Sequence, residues 1–334
     1  MARLLTIILN YRTPEMTITS AQAALAAMEG LDAELLIVDN DSGDGSFEMI
    51  AAAVAERDWA SSGRVRVLQS GRNGGFGAGN NFGIRAGCAD GGTAEYVYIL
   101  NSDAFPDRMA ICKLLEYLER NPAVGFAGSY IQGVERDAHV TTFRFPSILS
   151  EFEAAARFGP ISRLLAKHVV PLPVPERTQA VDWLAGASLM MRASVLDEIG
   201  LFDEAFFLYF EETDLCRRAR LGGWVTHYVR ESEVTHIGSV STGMKQWDRV
   251  PEYWFDSRWH YFTKNHGTPY AVMATLAHLA GGLIHRARVL VQRKDPGDPP
   301  HFLRHLLVHD LKALFRGRKA VGTVQRRAAL RKGS

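Results

Sequence analysis

The sequence predicts an α/β fold, a mostly parallel sheet flanked by helices, followed by a helical C-terminal extension. Three observations lead to it. Through the first 130 residues, short apolar runs rich in β-branched and aromatic residues alternate with longer segments whose apolar residues recur every three or four positions. The ends of those runs carry Asn, Asp and Gly. After Gly238 the chain turns aromatic and helix-periodic. Strands alternating with helices form a parallel sheet covered on both faces, because each crossover helix must pack back onto it.

The strand runs are Leu4–Leu9, Glu34–Val38, Val65–Gln69, Tyr96–Leu100 and Val124–Ala127. Between them Met16–Met28, Ser46–Arg57, Gly77–Gly87 and Arg108–Arg120 have helical periodicity. The stretch Gly133–Ala180, with Pro160, Pro171, Pro173 and Pro175, reads as an extended loop. Apolar density returns at Trp183, with helices over Arg192–Ile199 and from Glu211. From Phe302, apolar residues at 302, 303, 306, 307, 311, 314 and 315 face His, Arg and Lys, which predicts a basic amphipathic helix introduced by Asp298-Pro299-Pro300. The domain boundary is expected near residue 242: 1–242 the α/β domain, 243–334 the basic helical region.

Composition narrows the class. With 334 residues, 47% hydrophobic and 22% charged, the chain is an ordinary globular one, which excludes disorder and a small disulfide scaffold. Cys88, Cys112 and Cys216 form no CxxC pair, as expected of reduced thiols in a cytoplasmic protein without structural zinc. Leu4–Leu9 is too short for a signal-peptide core, and Ala271–Ile284 falls short of the roughly 20 residues that span a bilayer. The formal net charge of +1 conceals a division: residues 285–334 hold 13 Lys/Arg against 3 Asp/Glu, so the preceding body is acidic. Nucleic acid is not the expected partner, since that body has no nucleic-acid-binding motif.

The polar motifs fall at strand ends. Asn10-Tyr11-Arg12 follows the first run, Asp39-Asn40-Asp41-Ser42 the second, Arg72-Asn73-Gly74-Gly75-Phe76-Gly77 the third and Asn101-Ser102-Asp103 the fourth. In an open parallel sheet these ends share the carboxyl edge, where ligands bind. Turns favour such residues anyway, but four polar ends with a Gly-rich turn opening a helix favour a nucleotide or other anion. Neither GxGxxG nor a P-loop is present. Asp103 reads as a turn cap or as a ligand for a hard divalent cation. Glu211, Glu212 and Asp214 follow Phe206-Phe207-Leu208-Tyr209-Phe210; they read as helix-dipole partners or, beside apolar surface, as a general base. His236 reads as structural or as a metal ligand.

Taken in order, these motifs resemble the family 2 inverting glycosyltransferases of GT-A fold, in particular the bacterial rhamnosyltransferase-like branch. The resemblance runs from residue 4 to about residue 242 and includes Trp183-Leu184-Ala185-Gly186 and Gly200-Leu201-Phe202-Asp203-Glu204. It implies a nucleotide-diphosphate sugar donor, with dTDP-L-rhamnose favoured, and a glycan or lipid-linked glycan acceptor. It further implies that Asn10, Tyr11 and Asp39 meet the base and ribose. Arg12, Asn73, Gly74, Gly75, Phe76, Asn80, Asn101 and Ser102 would lie on the donor side, with Trp183 and Gly186 on the acceptor side. Asp103 and His236 would hold Mg²⁺ or Mn²⁺, and Glu212 would be the base. Two departures stand out. Asn101 replaces the first carboxylate of the family's Asp-x-Asp, and Glu212 replaces an Asp. The extra methylene moves a carboxylate by about 1.5 Å, and errors of about 1 Å cost on the order of a hundredfold in rate. Hence the pocket is adapted, Glu211 or Asp214 serves as base, or the protein is a catalytically weak nucleotide-sugar-binding subunit. The basic tail reads as a helix packing on the catalytic domain or on a second subunit of a homo-oligomer, or as peripheral attachment to the anionic cytoplasmic leaflet.

Overall fold

The computed structural model describes residues 3–59, 63–238, 247–295 and 297–316. In the α/β part the elements are β1 (Leu4–Asn10), α1 (Pro14–Ala27), β2 (Ala33–Asp39), α2 (Ser46–Glu56), β3 (Val65–Gln69), α3 (Gly75–Ala86), β4 (Tyr96–Asn101), β5 (Ala104–Pro106), α4 (Ala110–Arg120), β6 (Val124–Gln132) and β7 (Thr142–Phe143). Then come α5 (Ile148–Ala156), α6 (Gly159–Leu164), β8 (Gln179–Val181), β9 (Trp183–Leu184), β10 (Ser188–Arg192), α7 (Ala193–Ile199), α8 (Glu211–Leu221) and β11 (Val225–His236). Three helices follow, α9 (Glu252–His266), α10 (Thr268–Gln292) and α11 (Phe302–Arg316). Each predicted strand run and each helix of the first 130 residues is present.

The main sheet runs β3-β2-β1-β4-β10-β6-β11-β5, with β8 also paired to β11. Its first four strands are parallel, so their carboxyl ends meet at one rim. β10 is antiparallel to both β4 and β6, while β11 runs parallel to β6. Period-two alternation sends Leu4 and Ile8 to one apolar layer with α1 and α4, and Leu5 and Ile7 to the other with Leu215 and Ala219 of α8.

The described residues fall into two compact units. The sheet unit takes the described residues within Met1–Phe145 and Val170–Gln246, and the helical unit those within Pro146–Val169 and Trp247–Ser334. The boundary expected at 242 lies in 239–246, outside the described residues. The expected loop over Gly133–Ala180 is corrected: it contains α5, α6 and a 3₁₀ turn at Ala166–His168. Helix α5 is started by a capping box in which Ser147 and Ser150 serve each other's backbone, a Ser-for-Glu version of the usual pattern. Pro160 sits in the first turn of α6, where its missing N–H costs nothing. Within the helical unit, fully buried Arg258 of α9 joins Glu151 of α5 (2.8 Å) to Asp310 of α11 (3.1 Å). Among the described residues no helix is long and apolar enough to cross a membrane.

Candidate active site

The rim begins at β1 and β2, whose last residues, Asn10 and Asp39, are register partners. Both are fully buried. The Asn10 amide donates to Asp39 Oδ1 (2.7 Å), and the Ser42 hydroxyl donates to the same oxygen (2.6 Å) while its backbone N–H reaches Oδ2 (3.1 Å). Asp39 thus has both oxygens engaged by the chain itself. On the other side, Asn10 Oδ1 accepts from Thr13 and Thr17 at the start of α1. Arg12, in the left-handed region at φ 58°, donates to Ser42 from its backbone and its guanidinium, which lies 5.1 Å from the Tyr11 ring centre. These contacts lock the loops after β1 and β2 together and leave the Arg12 side chain at the surface.

The Gly-rich turn after β3 is held by the next polar residue. Asn40 donates to Asn73 Oδ1 (3.0 Å), which also accepts from Gly75 N–H (3.0 Å). Gly75 has φ +87°, and a Cβ there would stand 1.8 Å from the Phe207 carbonyl oxygen. Only glycine permits that approach, and it is used: Phe76 N–H donates to the Phe207 oxygen at 3.0 Å. Gly74 lies beside Ala78 at the same turn. Asn80, fully buried, donates to the Phe76 carbonyl (3.0 Å), and its own oxygen has no protein partner.

At the end of β4, Ser102 meets Thr13 through their hydroxyls (3.2 Å), and Asp103 turns to β11. His236 Nε2 lies 3.0 Å from Asp103 Oδ1 and 3.3 Å from the Asn101 amide nitrogen; Asp103 Oδ2 accepts from Gly238 N–H. The pair exists because β11 crosses beside β5, with His236 opposite Ala104. A second imidazole, His139, stands with its ring centre 6.4 Å from that of His236. Among the described residues no group of three or more His, Cys, Asp and Glu converges on one point. A carboxylate oxygen and an imidazole nitrogen nevertheless suit Mg²⁺ or Mn²⁺, which typically take few protein ligands and fill the remaining positions with water and substrate phosphate.

The carboxylates at α8 divide by partner. Asp214 is fully buried and paired with Arg218 (2.8 Å), whose guanidinium also donates to the carbonyls of Ile199, Gly200 and Leu201. Glu211 is buried with Oε2 unpartnered, and burial together with the neighbouring Glu212 pushes its pKa well up. Glu212 is half-buried; its Oε1 accepts from Gly186 N–H (3.1 Å), and burial raises its pKa too. A Cβ on Gly186 would come 2.9 Å from the Phe76 ring and 3.1 Å from Glu212 Oε1, so the missing side chain is what admits the longer acid. Immediately before α8, Tyr209 and Phe210 both have φ near +70°, consecutive left-handed residues of a kind that proteins concentrate at functional sites. Trp183 stacks on Phe143 (4.2 Å) and donates to the Arg144 carbonyl.

The structure thus joins Asn10, Arg12 and Asp39 in one network, Asn73, Gly75 and Phe76 in a second, Asn101, Asp103 and His236 in a third, and Glu212 with Gly186 and Phe76 in a fourth. Residues without an assigned role in the sequence reading are Thr13, Asn40, Ser42, Phe207 and His139. Asn40 and Ser42 sat within a motif already singled out; His139 carries no local signal and is found only through folding.

A mixed sheet of this order belongs to the GT-A fold. The family model for glycosyl transferase family 2 matches residues 6–168; the chain is a glycosyltransferase, similar to rhamnosyltransferases. The N-acetylglucosaminyl-diphospho-decaprenol L-rhamnosyltransferase of Mycobacterium tuberculosis is 29% identical over 229 residues, 66% of this chain and 72% of its own length. Rhamnosyltransferase WbbL of Escherichia coli is 26% identical over 142 residues, 42% of this chain and 52% of its own. Two solved structures share the fold. GalNAc-T7 with UDP, GalNAc and Mn²⁺ has a TM-score of 0.56 at 12% identity over 92% of this chain, which spans about half (54%) of that longer one. The Pyrobaculum calidifontis mannosyltransferase PcManGT with GDP-Man and Mn²⁺ has a TM-score of 0.53 at 15% identity, over 95% of this chain and 88% of its own.

Proposed function

We propose that this glycosyltransferase moves L-rhamnose from dTDP-L-rhamnose to a hydroxyl of a lipid-linked glycan, with inversion at the anomeric carbon. The sugar and the acceptor class follow the names of the relatives. Glu212 carries the chemical reading: an acid at a helix start, held by the Gly186 amide, with its pKa raised by burial, is suited to accept a proton. As the acceptor oxygen bonds to the anomeric carbon, its proton passes to Glu212, and the bond to the diphosphate oxygen breaks with its electron pair leaving on the nucleotide. Glu211 lies deeper beside it, where burial and the neighbouring Glu212 push its pKa well up, an arrangement that favours one negative charge shared by the pair.

Asn10, Tyr11, Arg12 and the Asn73–Phe76 turn form the nucleotide side, with Asp39 acting through Asn10 and Ser42. Asn80, Asn101 and Ser102 complete that side, and Trp183 borders the acceptor. Asp103 and His236 would hold Mg²⁺ or Mn²⁺, which when bound stabilises negative charge on the departing diphosphate. The acid body and basic end fit a protein working at the cytoplasmic membrane surface. The test is incubation with Mn²⁺ or Mg²⁺, a nucleotide-sugar panel and a diphospholipid-linked N-acetylglucosamine acceptor, with the product anomer read by NMR. Consumption of dTDP-L-rhamnose to an inverted product is expected. Consumption of another donor, or a retained anomer, overturns the corresponding part.

A further inference from the structure

We propose that the helical unit carries a second site, for the phosphate or diphosphate headgroup of a membrane lipid, between the chain entering α9 and one face of α11. It rests on the membrane-surface reading above and adds a built recess to it. The recess has a volume of about 620 Å³ and is lined by Arg249, Arg304 and Lys312 together with His305 and His309, against Glu252 as the acidic lining residue. That volume is ordinary for a small-ligand pocket.

Among the described residues, Arg249, Arg304 and Lys312 make no ion pair. Three cations are therefore gathered around one recess without an ion-pair partner among the described residues. Two of them, Arg249 and Arg304, act with His301 on His305, whose pKa is lowered first by partial burial and then by these charges. His309 differs, since Asp256 and Asp310 hold and balance its charge. The recess also abuts the first turn of α9, whose start after Pro251 has no side-chain cap. The positive end of the helix dipole and the lining cations both favour an anion with several oxygens.

The lipid source follows from the rest of α11. Leu303, Leu306 and Asp310 face the unit's interior. At about 100° per residue, Arg304, Val308 and Lys312 form one neighbouring stripe and Leu307, Leu311 and Leu314 the other. Leu311 is 45% exposed and Phe315 82%. An apolar stripe bordered by cations matches the boundary between acyl chains and anionic headgroups, whereas a soluble phosphate would leave that stripe unexplained.

The experiment is sedimentation of the full chain with phosphatidylcholine vesicles, with and without phosphatidic acid. Binding that requires phosphatidic acid is expected, weakened about five-fold for each charge removed in the Arg304→Gln/Lys312→Gln variant and retained in Arg304→Lys/Lys312→Arg. Thermal melting and nucleotide-donor binding should be unchanged in both. Equal sedimentation of wild type and the Gln variant overturns the site, as does loss in the charge-preserving variant. Loss only in Leu311→Ser/Phe315→Ser leaves the membrane reading standing and removes the recess. A saturable thermal shift with inorganic phosphate, without vesicle binding, overturns the lipid source. No binding to any vesicle overturns both membrane proposals, while donor turnover tests the transferase reading separately.

Discussion

Glu212 and Glu211 are adjacent in sequence yet stand in different surroundings: one reaches the Gly186 amide and partial solvent, the other is sealed with an unpartnered oxygen. Glu212→Gln should therefore retain donor binding while turnover falls by about 10²–10⁴-fold. Glu211→Gln, which copies a neutral acid, should keep turnover within about threefold of wild type. If steady-state kinetics show the reverse, the base is Glu211. Because burial raises the Glu212 pKa and the base must be deprotonated, kcat should rise with pH through a midpoint above the ordinary value of about 4.3. Gly75 and Gly43 make a second contrast. Both have positive φ, but Cβ at 43 meets open space and at 75 the Phe207 carbonyl. Gly43→Ala should cost about 1–2 kcal/mol from the backbone alone. Gly75→Ala should cost more and weaken donor binding, as melting curves and nucleotide titration would show; equal effects would mean the turn yields freely.

At the scale of elements, the site depends on α8 being fastened to the loop after α7. Arg218 does this, spending its donors on Asp214 and the carbonyls of residues 199–201. Removing it leaves Asp214 buried without its cation, a situation that typically costs about 3–5 kcal/mol. Arg218→Met should lower the denaturation midpoint accordingly, and Arg218→Lys should recover only part, since an ammonium cannot span those acceptors. The crossing of β11 beside β5 is a second such dependence. His236→Gln should lower the metal-supported affinity for a nucleoside diphosphate in calorimetry while leaving metal-free binding near wild type. Unchanged metal dependence would remove His236 from the ion's site.

Over the whole molecule, the helical unit's ion network sets a pH window. Burial alone would raise the Glu151 pKa, but Arg258 and His278 outweigh it and hold it down to about 2. Its stabilisation is present above the unfolded value of about 4.3 and is lost as pH falls towards 2. His309 has the opposite sign. Burial lowers its pKa, yet Asp256 and Asp310 raise it to about 9, so its contribution is full below about 6.5 and fades as pH rises through 9. Denaturant midpoints followed across pH should fall at both ends, and His309→Gln should flatten the alkaline fall. A profile without either limb would contradict the network.

Local and periodic content was legible in the order of the residues. Leu4–Leu9 and its four companion runs became strands because period-two apolarity and flanking turns are local signals, and the rim motifs followed at their ends. Glu211 began a helix, and Phe302 began another, as their patterns required. The segment around Ser147 escaped because its cap uses Ser150 in place of Glu, and a proline at a helix start looks the same in sequence as one in a loop. The folded chain alone decided which side chains became partners. Asp103 meets His236 across 133 positions, Gly186 shapes the seat of Glu212, and Asp39 turns inward to Asn10 and Ser42. Partners so far apart are set by strand order and by the close approach of backbones, and neither is encoded within any short window of residues.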